Sequence, residues 1–199
     1  MSIRNSLFNF AALSALLTLT HCGYGLRTSK SETLESQGVH TLFIRPFSNL
    51  SFQTGVEHTV YNALTQKLAS GVRVKLVSSE READAILIGS ITEAQSSVGG
   101  TTPAYELEPQ GLITRRPETE ILVATSYNAI LRCQFQIVKK TNPVWSSSFS
   151  RAKTFQANNR LGTLGTTNAL VNQSEFERAL SDLAYEIADE VKESVLYAF

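Results

Sequence analysis

The sequence predicts an α+β fold, a two-layer sandwich in which a mixed β-sheet carries two helices packed on one face. Three observations lead there. Two segments repeat apolar residues every three or four positions, the signature of a one-striped helix, and five others alternate or run apolar over strand lengths. The chain has 199 residues, 42% hydrophobic and 18% charged, which suits one packed domain and not a disordered chain. Two helices with one apolar stripe each can bury both stripes together against one face of a sheet.

The elements follow in order. Val39 to Phe47 is rich in Val, Thr, Phe and Ile and reads as a strand, with Pro46 near its end where a proline is tolerated. Thr54 and Glu57 have the spacing of a capping box. Val56, Val60, Leu64 and Leu68 then recur every four residues, which predicts a helix to about Ser70, stopped by Gly71. Val72 to Val77 alternates as a short strand, and Ala85 to Ile91 reads as a strand buried on both faces. Residues 95 to 120 are dominated by Gln, Ser, Gly, Thr and Pro and are expected to form a long loop.

The longest predicted strand is Ile121 to Val138. Val123, Tyr127, Ala129, Leu131, Cys133, Phe135 and Ile137 share one face, while Ser126, Asn128, Arg132, Gln134 and Gln136 share the other. Lys139 to Pro143 reads as a turn, and Val144 to Phe155 returns to complete an antiparallel hairpin. A second loop is expected over 156–173. Ser174 and Glu177 then have capping-box spacing ahead of a helix that uses Phe176, Leu180, Leu183, Ile187, Val191 and Val195 and runs to the C-terminus.

The chemistry of enzymes is missing from this pattern. The three histidines, His21, His40 and His58, have no metal-ligand spacing to another His or Cys, so no metal site and no cofactor are expected. There is no nucleophile elbow, no phosphate-binding loop and no dinucleotide fingerprint. Ser146, Ser147 and Ser148 lie in a strand and read as a solvated face, and Cys133 reads as a small buried hydrophobe. Eighteen basic against eighteen acidic residues remove the cationic excess of nucleic-acid binders. The neutral total hides a division, however. Between Ile121 and Arg160 the basic residues Arg132, Lys139, Lys140, Arg151, Lys153 and Arg160 meet no acidic one, while the last helix is strongly acidic. The hairpin therefore reads either as an anion-binding edge or as a solvated strand face.

The N-terminus is separate from the fold. One positive charge at Arg4 precedes a 14-residue apolar stretch from Leu7 to Thr20, short of the roughly 20 residues that span a bilayer. Residues 1–21 are expected to be a signal peptide. Leu19-Thr20-His21-Cys22 resembles the lipobox of bacterial lipoproteins, with His21 in place of the usual small residue before the cysteine. That resemblance implies a lipidated Cys22; an ordinary secretory peptide cut elsewhere would leave Cys22 a thiol. Gly23, where enterobacterial-type inner-membrane lipoproteins carry Asp, implies by resemblance the outer membrane. Residues 22–38 are polar and aperiodic and read as a lipid-anchored tether, and 39–199 as the single domain.

Three stretches resemble the lipopolysaccharide-assembly lipoprotein family, LptE. They are Cys22 to Arg27 at the mature start, Thr41 to Asn49 at the first strand, and Ala83 to Ile91 at the strand after the first helix. The resemblance implies a non-enzymatic outer-membrane lipoprotein in a 1:1 heterodimer with a large β-barrel of the LptD kind, which it plugs and helps to assemble. It also implies contact with lipopolysaccharide during export to the cell surface. Charge and loop position, not a motif, nominate Arg115, Arg116, Lys139, Lys140 and Arg160 for that contact. The Pro46-Phe47-Ser48-Asn49 stretch also resembles other periplasmic lipoproteins. This leaves open a lipoprotein that binds a cell-wall synthase or a secretion pore.

Overall fold

The computed structural model describes residues 34, 37–70, 74–103, 122–158 and 166–197. It is the expected α+β sandwich: one mixed sheet with two helices on one face. The strands are Thr41–Ile44 (β1), Ser48–Asn49 (β2), Lys75–Leu76 (β3), Ala85–Pro103 (β4), Leu122–Lys139 (β5) and Asn142–Gln156 (β6). The helices are Val56–Ala69 (α1) and Thr166–Tyr197 (α2). The strand order is β3-β1-β4-β5-β6, with the two-residue β2 also paired to β4. β1 runs parallel to β3 and β4, because α1 carries the chain back across the sheet, and β4, β5 and β6 form an antiparallel meander.

Several boundaries differ from the sequence expectation for physical reasons. The first strand is interrupted at Arg45–Phe47, where Pro46 cannot donate to the ladder, and pairing resumes at Ser48 against Ser90. The expected loop from 95 begins instead as strand. β4 continues to Pro103 because its Ser, Gly and Thr residues pair with the start of β5, although neither face there is apolar enough to announce a strand. The last helix begins at Thr166, not at Ser174, whose hydroxyl donates to the Val171 carbonyl inside the helix. Thr54 does not cap α1 either. Gly55, at φ 86°, is the N-cap residue without any side-chain cap, and the Glu57 carboxylate accepts instead from the Asn49 amide at 2.7 Å.

The core lies between sheet and helices. Leu42, Ile44, Leu87 and Ile91 from β1 and β4, and Leu131, Cys133, Phe135 and Ile137 from β5, are buried under the helices. The alternation expected for β5 is therefore observed from Ala129 onwards. Val60, Leu64, Leu183, Ile187 and Val191 fill the other side. Packing reaches back to Leu34, which is buried and whose carbonyl accepts from the Val39 amide at 2.9 Å.

α1 and α2 lie side by side. Lys67 pairs with Asp189 at 2.6 Å, the Tyr185 hydroxyl donates to Gln66 at 3.1 Å, and Lys192 donates to Ser70 at 3.1 Å. No described helix covers the other sheet face. Alternation places Gln134, Gln136, Ser146, Ser148 and Ser150 there, with half-buried Ile86, Ile88 and Ile130 among them.

Candidate functional site

The hairpin β5–β6 was the one concentration of unopposed charge in the sequence, and its geometry decides what the charge does. The strands meet in a tight turn at Lys140 and Thr141, where Lys139 opposes Asn142 and Lys140 takes the left-handed conformation at φ 58°. A lysine in that region is uncommon and is imposed by the short connection. The Lys139 ammonium turns back along the molecule, donating to the Gly38 carbonyl at 3.0 Å and also to the Gln37 carbonyl. Lys139 therefore ties the hairpin to the segment that precedes β1. Lys140 is exposed at the tip, and among the described residues no carboxylate lies within ion-pair distance of it.

The other hairpin cations are neutralised. Arg151 pairs with Glu190, and Lys153 with Asp182 at 2.5 Å, because odd positions of β6 face α2 and the acidic helix lies over them. On the open sheet face Arg132 pairs with Glu93 of β4 at 2.6 Å. Two residues of the positive edge that the sequence separates from the acidic helix, Arg151 and Lys153, thus find their partners on that helix. Of the nominated residues, the structure brings Lys139 and Lys140 to one turn, while Cys22, Arg115, Arg116 and Arg160 lie outside the described residues.

The Cys133 thiol and the Asp84 and Glu57 carboxylates are engaged by the fold itself. Cys133 is fully buried and its pKa is pushed up to about 12 by that burial, so the thiol packs as an apolar group. Asp84 is held below the usual carboxylate range by the backbone N–H groups of His40 and Thr41, both 2.9 Å from one oxygen, and it fastens β4 to the start of β1. Glu57 is also lowered, first by its own backbone N–H and then by the Asn49 amide, against an opposing effect of burial. Among the described residues no group of three or more His, Cys, Asp and Glu could hold a metal ion.

Residues 39–194 match the model of the family described as LptE, lipopolysaccharide-assembly, a stretch that takes in the entire sheet, the whole of α1 and all but the last turn of α2. The chain belongs to the LptE family. No curated protein matches it. Distant likenesses among solved structures include the PelC dodecamer from Paraburkholderia phytofirmans, at 12% identity over 79% of this chain and 87% of that one, with a TM-score of 0.45. Another is a minor lipoprotein from Acinetobacter baumannii, at 16% identity over 79% and 93%, with a TM-score of 0.41. The rare lipoprotein B from Shewanella oneidensis is 15% identical over 74% and 91%, with a TM-score of 0.41.

One feature escaped the sequence reading. The loop between β2 and α1 exposes Leu50 (71%) and Phe52 (104%). The signal was available, since no charged residue occurs between Arg45 and Glu57 although two large apolar residues stand where a strand has ended and a helix has not begun.

Proposed function

We propose that this chain is an outer-membrane lipoprotein, anchored through acylated Cys22, that plugs and helps assemble a large β-barrel translocon of the LptD kind as a 1:1 partner. In this reading it also contacts lipopolysaccharide on its way to the surface, and it is not an enzyme. The observation that carries the proposal is the LptE family match over residues 39–194. The open sheet face adds support. Its serines and glutamines, which stand around half-buried Ile86, Ile88 and Ile130, suit the interior of a barrel, which is polar. Several acyl chains at Cys22 would give a durable anchor, because each buried methylene contributes about 0.8 kcal/mol and a single chain holds only marginally.

For the lipopolysaccharide contact, Arg115, Arg116, Lys140 and Arg160 are the proposed phosphate partners, Arg by a two-pronged hydrogen bond and Lys as a point charge. Lys139 belongs to the same turn, but its ammonium is engaged with backbone carbonyls. The test is purification of the C-terminally tagged full chain from detergent-solubilised outer membranes, with mass analysis of the bait and whatever accompanies it. A stoichiometric large β-barrel together with a triacylated Cys22 is the expected result. A lipidated bait accompanied instead by a cell-wall synthase or a pore-forming oligomer would overturn the proposal.

A further inference from the structure

The backbone of β6 is engaged on one side only. Its pairing with β5 keeps one register from Gln156 opposite Ser126 to Trp145 opposite Ile137, and just past its end the Ala157 amide donates to the Thr125 carbonyl at 2.9 Å. Backbone groups of successive strand residues point to alternate sides. The odd-numbered residues from Trp145 onwards therefore turn their N–H and C=O groups to β5, while Ser146, Ser148, Ser150, Ala152, Thr154 and Gln156 turn theirs outward. All of these outward residues are exposed. Among the described residues, the one outward backbone group with a partner is the Ser150 carbonyl, which accepts from the Arg151 guanidinium at 3.3 Å. The open edge is about 33 Å long, well beyond an ordinary strand.

A free edge is normally blunted by brevity, bulges, prolines or charges. The other edges of this sheet are blunted. β3 has two residues, and beyond Ile91 the uncovered side of β4 is broken by register shifts between Ile91 and Glu93, Val98 and Gly100, and Gly100 and Thr101. In β6 the register shift and Pro143 are confined to the turn end, and every outward position past them carries an uncharged side chain. The two charges of this stretch, Arg151 and Lys153, lie on the helix side and are held by Glu190 and Asp182. A row of outward N–H and C=O groups at strand spacing is satisfied by one kind of ligand, another extended polypeptide.

The helix beside the edge selects among polypeptides. Asp182, Glu186 and Glu190 are one turn apart on the side of α2 that meets β6. The outer two hold Lys153 and Arg151. Glu186 between them is exposed, and among the described residues no cation lies within ion-pair distance of it. A second copy paired here would bring its own acidic row alongside, whereas a strand with lysine or arginine facing α2 would meet Glu186. We propose that the edge over residues 146–156 binds an extended segment of another protein as an added strand, with a basic residue of that segment set against Glu186. The inference uses β6 and α2 alone and goes beyond the barrel-partner reading.

Amide exchange followed by NMR on the full chain is expected to be fast at Ser146, Ser148, Ser150, Ala152 and Thr154 and slow at Ser147, Phe149, Arg151 and Lys153. Linear peptides as long as the open edge, selected on the full chain from a random library, are expected to lack proline, to carry lysine or arginine, and to slow the outward amides. Ser148→Pro, which removes an outward N–H and no ladder bond, should weaken their binding at least about tenfold. Methylating one set of alternate peptide amides, which leaves the protein unaltered, should do the same, while methylating the other set is tolerated. Glu186→Lys should weaken binding by about threefold or more at low salt. Outward amides as slow as their neighbours in the free chain would overturn the inference. So would peptides indifferent to Ser148→Pro and to methylation, peptides indifferent to Glu186→Lys, or sedimentation showing that the chain pairs with itself and that Ser148→Pro abolishes this.

Discussion

Gly89 lies in the buried part of β4, and adding a single methyl group there is a sharp test of how this core is packed. An ideal Cβ built on Gly89 would lie 2.6 and 2.7 Å from Cδ1 and Cε1 of Phe47 and 2.9 Å from Cδ1 of Phe135. Carbon atoms pack at about 3.5–4.0 Å, so the methyl group would overlap two rings by close to 1 Å. Neither ring can yield easily. Phe47 stands edge-on to Tyr61 at 5.5 Å and to Phe135 at 5.4 Å, and Phe135 leans on Phe149 at 6.1 Å. Overpacking of this kind costs about 1–3 kcal/mol, while Gly→Ala returns about 0.4–1 kcal/mol by restricting the unfolded chain.

Gly89→Ala should therefore destabilise the protein by about 1–2 kcal/mol, or about 2–8 °C in Tm for a domain of this size. Urea unfolding of the protein, followed by the fluorescence of its one tryptophan, Trp145, measures this directly. Shrinking the obstructing ring with Phe47→Leu should be less costly in the Gly89→Ala background than alone, with a coupling of at least about 0.5 kcal/mol. Gly89→Ala as stable as the unaltered protein, or two substitutions whose costs simply add, would refute the packing argument.

Three further outcomes follow from the geometry. Lys153→Glu and Asp182→Lys should each destabilise by up to about 1 kcal/mol, with the double reversal recovering most of the loss; a cycle without coupling at low salt would show that the β6–α2 pair is only proximity. Asp84 and Glu57 both have folded-state pKa values below their unfolded ones. Their stabilisation is thus complete above about pH 4–5 and lost as the pH falls through the folded values. In urea melts from pH 7 to pH 3, the stability gap between the unaltered protein and Asp84→Asn should close on the acid side, and a gap independent of pH would contradict this. Cys133 should resist a thiol reagent at pH 8 in the native protein and react at once in denaturant, with native labelling at the rate of a free thiol as the contrary result.

The amino-acid order determined on its own whatever depends on local periodicity. The stripes of Val60 and Leu64 and of Leu183, Ile187 and Val191 specify two one-sided helices, and the alternation from Ala129 to Ile137 specifies one buried strand face. The α+β class follows because those surfaces need each other. Local signals failed where two structures compete for the same groups. Thr54 and Glu57 have the right spacing for a cap, but Asn49, eight residues before Glu57, takes the carboxylate, and Gly55 makes the turn by backbone freedom alone. Residues 95–103 carry no apolar face, so their place in β4 depends wholly on the partner strand.

Only the tertiary structure decided the meaning of the charges. Arg151 and Glu190 are 39 residues apart, and Lys153 and Asp182 are 29 apart, so what reads as a basic edge and an acidic helix becomes a set of pairs once α2 crosses β6. It likewise turned Lys139 from a free cation into a backbone clamp and showed that the side chains of Leu50 and Phe52 stand in solvent. Periodicity is a property of neighbours in sequence, whereas charge neutralisation and surface exposure belong to neighbours in space.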